Sequence, residues 1–122
     1  MQSIKPRILC IEDNEDSCEI LGILLSRAGY EVVLAQTTAD ALDKTLRSRF
    51  DVILIDNHLP DGSGLELCQQ IRGFNSQTPI CFYTCDAFPK QIDAAMQAGA
   101  NAYLVKPVFS DDIERTIGQL LQ

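Results

Sequence analysis

The sequence predicts an α/β fold: a five-stranded, doubly wound parallel sheet with five helices, covering residues 1–122 as one domain. Three observations lead there. Apolar runs of strand length recur five times at intervals of roughly 20 to 25 residues, and segments of helical apolar spacing lie between them. Three of the runs are apolar at every position, the mark of parallel strands covered on both faces. At 122 residues the chain can bury one core but is too short for an eight-stranded barrel.

Taken in order, Arg7–Ile11 is the first expected strand, and Leu21, Leu24, Leu25 and Ala28 form the stripe of the first helix, closed by Gly29. Glu31–Ala35 is the second strand, followed by a helix carrying Leu42 and Leu46. Val52–Ile55 is the third, and Leu67, Cys68 and Ile71 mark the next helix, with Ser63 three residues before Glu66 as a capping box. Residues 79–83 make the fourth strand, and Ile92, Ala95 and Met96 its helix, entered at Pro89 and closed by Gly99. Ala102–Val105 is the fifth strand, and Ile113, Ile117, Leu120 and Leu121 the last helix stripe. Repeated βα order requires right-handed crossovers, which wind helices onto both faces of a parallel sheet.

Composition narrows the function. Apolar residues are 46% and charged residues 22%, as in ordinary globular chains. Ten Lys and Arg against 17 Asp and Glu give a net charge of −7, which repels nucleic-acid backbones and anionic membranes. No apolar stretch approaches the roughly 20 residues of a membrane span. Acidic Glu12 and Asp13 arrive before any signal-like core, so no secretory peptide is expected and the chain is expected in the cytoplasm. Its cysteines, Cys10, Cys18, Cys68, Cys81 and Cys85, are then expected reduced, four of them as small buried hydrophobes.

Sheets of this class hold their sites at the carboxyl ends of the strands. Polar residues stand there: Glu12 and Asp13 after the first strand, Asp56 after the third, Thr84 after the fourth, and Lys106-Pro107 after the fifth. Carboxylates about 5 Å apart at an effective dielectric near 20 repel by roughly 3 kcal/mol per pair, so three of them with one ammonium call for a cation. Oxygen donors on loops suit Mg²⁺ or Mn²⁺. A divalent ion beside a carboxylate, an ammonium and a hydroxyl reads as a site for a phosphoryl group.

These residues fall in recognisable motifs. Glu12-Asp13 forms an acidic pair, residues 56–64 (DNHLPDGSG) fit D-x-x-[ML]-P-x-x-x-G, Phe82-Tyr83-Thr84 ends the fourth strand, and residues 99–107 (GANAYLVKP) close the pattern. Over nearly its whole length the chain resembles the receiver domain of response regulators, the phosphoacceptor half of two-component signalling. The resemblance implies that Asp56 accepts a phosphoryl group from a histidine kinase or histidine phosphotransfer protein. It also implies that Asp13, Asp56 and the His58 backbone carbonyl bind Mg²⁺, with Glu12 holding coordinated water. Lys106 and Thr84 would contact the phosphoryl oxygens, and Tyr103 would turn inward as a switch, moving the face formed by the fourth helix, fifth strand and fifth helix. Lys106-Pro107 would be cis. Such a domain promotes its own phosphorylation and dephosphorylation rather than acting as an enzyme on other molecules, and works as a monomer or a phosphorylation-dependent dimer.

Three positions depart from the family's commonest pattern: Glu12 replaces Asp, Cys85 stands where Ala is usual, and His58 occupies a variable site. Residues two past the acceptor and two past the threonine, His58 and Asp86, are expected to pair and, with Cys85, to slow loss of the phosphoryl group, His58 making that loss pH-dependent near neutrality. A receiver serving only as an interaction module is the alternative; a flavodoxin-like redox protein is disfavoured by the acidic loop after the first strand. A single-domain regulator and a receiver cut from a longer protein with an output domain fit the sequence equally well.

Overall fold

The computed structural model describes residues 5–122. The elements run β1 (Arg7–Ile11), α1 (Glu15–Arg27), β2 (Glu31–Ala35), α2 (Thr38–Arg47), β3 (Val52–Ile55), β4 (His58–Leu59), β5 (Gly62–Ser63), α3 (Gly64–Arg72), β6 (Ile80–Thr84), α4 (Pro89–Gln97), β7 (Ala102–Val105) and α5 (Ser110–Leu120). Five strands form one parallel sheet in the order β2-β1-β3-β6-β7, the doubly wound arrangement expected.

Strand side chains alternate across the sheet and split the core in two. Ile8, Cys10, Val52, Leu54 and Cys81 meet Leu21 and Leu25 of α1 and Ile113 and Ile117 of α5. Leu9, Ile11, Ile53, Ile55 and Phe82 meet Ala41 of α2, Leu67, Cys68 and Ile71 of α3, and Ala95 of α4. Helix ends use local chemistry: Asn14, Thr37 and Ser63 cap α1, α2 and α3 by accepting from the backbone N–H of Ser17, Asp40 and Glu66. Gly29 and Gly99 leave α1 and α4 with φ of 96° and 111°, a conformation that favours glycine.

Several details differ from the sequence reading. β6 begins at Ile80, because Pro79 has no N–H for the ladder, and extends to include Thr84. β7 is only half-buried despite its apolar composition, because it lies at one edge of the sheet. Leu46 and Met96 lie on solvent faces of their helices and Ala28 is the exposed C-cap just past α1, so those stripes are narrower than their hydrophobic spacing suggested. The Glu66 carboxylate meets the Ser63 hydroxyl at 3.5 Å, so the expected box at α3 is a simple serine cap with a side-chain contact. The two-residue ribbon β4–β5 was not foreseen.

Cys10, Cys18, Cys68 and Cys81 are buried and Cys85 is exposed. Burial pushes the thiols of Cys10 and Cys81 up to about 12, which makes them packing groups rather than nucleophiles. The Lys106-Pro107 peptide is cis. No helix of the described residues is long and apolar enough to cross a membrane.

This packing sets a stability contrast. Leu54, 2% exposed in the central strand, should cost about 2–5 kcal/mol when changed to Ala. Leu46, 64% exposed, should cost within about 0.5 kcal/mol. Equilibrium urea unfolding of Leu54→Ala and Leu46→Ala checks both values, and equal losses would contradict the burial assigned to β3.

Candidate functional site

The sheet itself delivers the site. Parallel pairing continues one residue past the strands: Glu12 N–H donates to Ala35 O at 3.0 Å, Asp56 N–H to Ile11 O at 2.9 Å, and Lys106 N–H to Thr84 O at 2.8 Å. Three functional side chains therefore leave the carboxyl edge at fixed heights. The chain crosses from β1 to β2 on one side and reaches β3 on the other, so the ends of β1 and β3 flank the crevice where such sheets open.

Oxygens of Glu12, Asp13 and Asp56 lie within 4.8 Å of one another. Glu12 and Asp56 are buried and Asp13 is exposed. Lys106 reaches over them, hydrogen-bonded to Glu12 and 3.3 Å from Asp56 Oδ2. Burial pushes the Glu12 carboxyl above its ordinary range; the hydrogen bond from Lys106 opposes this, and the Asp56 charge adds to it. Burial pulls the Lys106 ammonium down, but the hydrogen bond to Glu12 and the charges of Asp56 and Glu12 outweigh it and hold the group above its usual value. Its ammonium also lies 4.8 Å from the centre of the Tyr83 ring.

The donor set is all oxygen, with two carboxylates recessed and one open to water, in a cleft of about 420 Å³ bordered also by His58, Cys85 and Lys106. Three carboxylates against one ammonium leave an excess of negative charge in that cleft. Hard oxygen donors with room for water fit Mg²⁺ or Mn²⁺, so the residues present suit the ion expected from the sequence.

The loop after β3 is braced from several directions. His58 N–H donates to Asp56 Oδ1 at 3.2 Å, and the β4–β5 ribbon folds the chain back towards α3. Gly64 packs directly against Asp56: a Cβ there would stand 2.4 Å from the Asp56 carbonyl oxygen, so only glycine fits. Asp61 spans to α2, accepting from the N–H groups of Thr38 at 2.7 Å and Ala39 at 3.1 Å, and these backbone bonds draw its pKa down.

Asn57 fills a role the sequence did not reveal. Its Oδ1 accepts from Leu65 N–H at 3.0 Å, and its Nδ2 donates to Asp86 Oδ2 at 2.7 Å. A polar residue beside an acidic one in a loop carries no sequence signal for this; the register of α3 and the position of the β6–α4 loop create it.

Thr84 is fully buried at the end of β6. Asp86, two residues on, contacts His58 Nε2 at 2.6 Å, and Asp86 N–H lies 3.4 Å from Thr84 Oγ1. The hydrogen bond to Asp86 raises the His58 pKa. Tyr103 stacks on Phe82 with ring centres 5.7 Å apart and donates its hydroxyl to the Asp86 carbonyl at 2.8 Å. The structure thus gathers Glu12, Asp13, Asp56, Lys106, His58 and Cys85 around one cleft. Thr84, Asp86 and Tyr103 do not line it: Thr84 is buried at the end of β6, Asp86 meets the cleft through His58, and Tyr103 lines a separate cavity against α4.

Comparison with known proteins accounts for this arrangement. The model of the family described as response regulator receiver domain matches residues 8–118. The chain is 38% identical over 117 residues to the sensor histidine kinase AruS of Pseudomonas aeruginosa, covering 93% of this chain and 12% of that kinase. It is 31% identical over 118 residues to the sensory/regulatory protein RpfC of Xanthomonas campestris, covering 93% of this chain and 16% of that protein. The chain therefore spans a small fraction of the length of these curated relatives. Among solved structures, a response regulator receiver domain protein (CheY-like) from Methanospirillum hungatei superposes with a TM-score of 0.93 at 30% identity, covering 97% of this chain and 94% of that one. Five parallel strands, a carboxylate cluster at the switch point and a family match across nearly the whole chain lead to one conclusion: the protein belongs to the response regulator receiver domain family of two-component signalling.

Proposed function

We propose that the chain is a phosphorylation-dependent switch whose acceptor is Asp56. The observation that carries this reading is the convergence of Glu12, Asp13 and Asp56 with Lys106 in one open cleft beside buried Thr84. An oxygen of Asp56 attacks the phosphorus of a phosphohistidine on a histidine kinase or phosphotransfer protein, or of a small acyl phosphate. The P–O bond to Asp56 forms as the P–N or P–O bond to the leaving group breaks. Asp13, Asp56 and the His58 carbonyl would hold Mg²⁺, with Glu12 reaching it through water, and the ion would supply positive charge that offsets the charge of the transferring group. Lys106 moves from Glu12 and Asp56 onto the phosphoryl oxygens, and the Thr84 hydroxyl donates to them.

The response passes from Thr84 through the β6–α4 loop to the face of α4, β7 and α5, with the switch residue Tyr103 held inward on Phe82, and an output domain or target protein docks on that face. The setting is the cytoplasm. A receiver that only binds partners is the second reading; the presence of both Asp56 and Lys106 weighs against it.

Labelling with acetyl phosphate and Mg²⁺, read by intact mass, should add one phosphoryl group to the wild-type chain and none to Asp56→Asn. EDTA should suppress it. Incorporation that persists in Asp56→Asn, or is undiminished by EDTA, overturns the assignment.

The position of Lys106 separates metal binding from switching. As a cation seated on two of the carboxylates it competes with Mg²⁺, so Lys106→Ala should bind Mg²⁺ more tightly while failing to change the α4, β7 and α5 face on phosphorylation. Tyr83, beside Lys106, provides the fluorescence signal for the titration. Weaker Mg²⁺ binding in Lys106→Ala would count against this role.

Lifetime is a separate quantity. Cys85 and His58 border the cleft where water must approach, and Asp86 anchors His58 from the side. Self-dephosphorylation should be slow, and Cys85→Ala should speed it several-fold by opening the entrance. Decay of the acyl phosphate, followed in both proteins after removal of donor, gives the ratio; equal rates would leave Cys85 a spectator.

A further inference from the structure

Asp86 is bound on every side by elements that belong to different parts of the switch. Asn57 Nδ2 donates to its Oδ2 at 2.7 Å and His58 Nε2 meets its Oδ1 at 2.6 Å, both from the acceptor loop. Tyr103 donates its hydroxyl to the Asp86 carbonyl at 2.8 Å, from the outer strand. Its own N–H faces Thr84 Oγ1 at 3.4 Å. The two contacts to the carboxylate are not equivalent. The His58 side chain is 70% exposed, where ion pairs are weak, whereas the amide bond is made by a part-buried Asn57 to a carboxylate that is itself 12% exposed. Asn57 is in turn fixed by accepting from Leu65 N–H at the start of α3. Beyond it, a cavity of about 210 Å³ lies against Asn57, Phe82, Tyr103 and Ala94, space into which the β6–α4 loop and Tyr103 can move once released.

We infer that Asn57 and Asp86 form a clamp that holds the β6–α4 loop against the acceptor loop and Tyr103 against Phe82 before any phosphoryl group arrives. Asn57 is a positioning residue: it acts through Asp86 and touches neither Asp56's reacting oxygen nor the phosphoryl group. The unlabelled chain therefore already has its switch tyrosine packed in, and the strength of one amide–carboxylate bond sets how much of the response remains for phosphorylation to drive. This consequence rests on the reading of Asp56 as acceptor; the clamp itself is a property of the unlabelled protein and is tested there first.

The full chain carrying 3-fluorotyrosine reports Tyr103 by ¹⁹F resonance, assigned with Tyr103→Phe, and amide hydrogen exchange reports residues 85–88. Asn57→Ala removes the contacts to both Leu65 and Asp86 and risks unfolding, so the decisive variant is Asn57→Asp. It keeps an oxygen for Leu65 N–H but turns a carboxylate towards Asp86. With the Leu65 amide still protected as the folding control, Asn57→Asp should raise exchange at residues 85–88 by at least about tenfold and shift the Tyr103 resonance. Combining Asn57→Asp with Asp86→Asn reverses donor and acceptor and should restore both signals, while His58→Ala alone should move them little. Wild-type exchange and Tyr103 resonance in Asn57→Asp, or no restoration in the double variant, overturns the clamp.

Acetyl phosphate then tests the consequence. The Tyr103 resonance should hardly move on labelling the wild type and should return to the packed position on labelling Asn57→Asp; a large wild-type shift overturns the inference. Absence of labelling in the wild type, with the clamp signals intact, overturns the acceptor reading instead.

Discussion

The rest of the structure depends on a charge imbalance at the carboxyl ends of β1 and β3. Oxygens of Glu12, Asp13 and Asp56 are held within 4.8 Å of one another, and Lys106 is the ammonium that reaches the cluster. At such separations each pair of like charges costs roughly 3 kcal/mol if the effective dielectric is near 20. A flexible loop would relieve that repulsion by moving apart. Here the ladder bonds of Glu12, Asp56 and Lys106 prevent it, because moving any of these residues means unpairing the end of a buried strand. Repulsion is thus stored against the sheet, and what relieves it is a cation or a change of partner for Lys106.

That arrangement divides the molecule into a rigid part and an adjustable part. The rigid part is the central sheet with its two apolar layers, in which Ile8 to Ile11 and Val52 to Ile55 are almost wholly buried. The adjustable part begins one residue beyond each strand. Its loops are shaped by polar bonds to particular partners: Asp61 to α2, Asn57 to α3 and to Asp86, Tyr103 to Asp86. Breaking one such bond costs far less than displacing a core residue, so the loops can rearrange without disturbing the sheet.

The same division explains what could be read from the sequence. The five βα units were legible because buried parallel strands such as Val52–Ile55 have no alternative to continuous apolar composition, and their polar terminators then identified Glu12, Asp13, Asp56, Thr84 and Lys106 as one group. Tertiary placement was not legible. Ala102–Val105 is as apolar as β3 yet half-exposed because it lies at a sheet edge, and nothing in its own residues says so. Met96 and Leu46 have helical spacing but lie beyond the width of sheet available to α4 and α2. Asn57 escaped notice for a related reason: its partners Leu65 and Asp86 are 8 and 29 residues away, and only the folded chain brings them to one side chain.

Seating of the helices decides which of them can shift most easily. α3 buries Gly64, Leu67, Cys68 and Ile71, and α1 buries Cys18, Leu21 and Leu25, so neither shifts without exposing apolar surface. α2 buries Ala41 alone, but its N-terminus is tied by Asp61 to the ribbon beside Asp56. α4 also buries one residue, Ala95, has no side-chain bond of that kind to the loop after β3 among the described residues, and lies over the cavity next to Phe82 and Tyr103. A helix with one buried anchor above empty space loses few contacts by moving. Its entry point is the β6–α4 loop held by Asp86, so under the proposed switch a change at Asp56 would emerge on the side of α4 and β7 rather than elsewhere on the molecule.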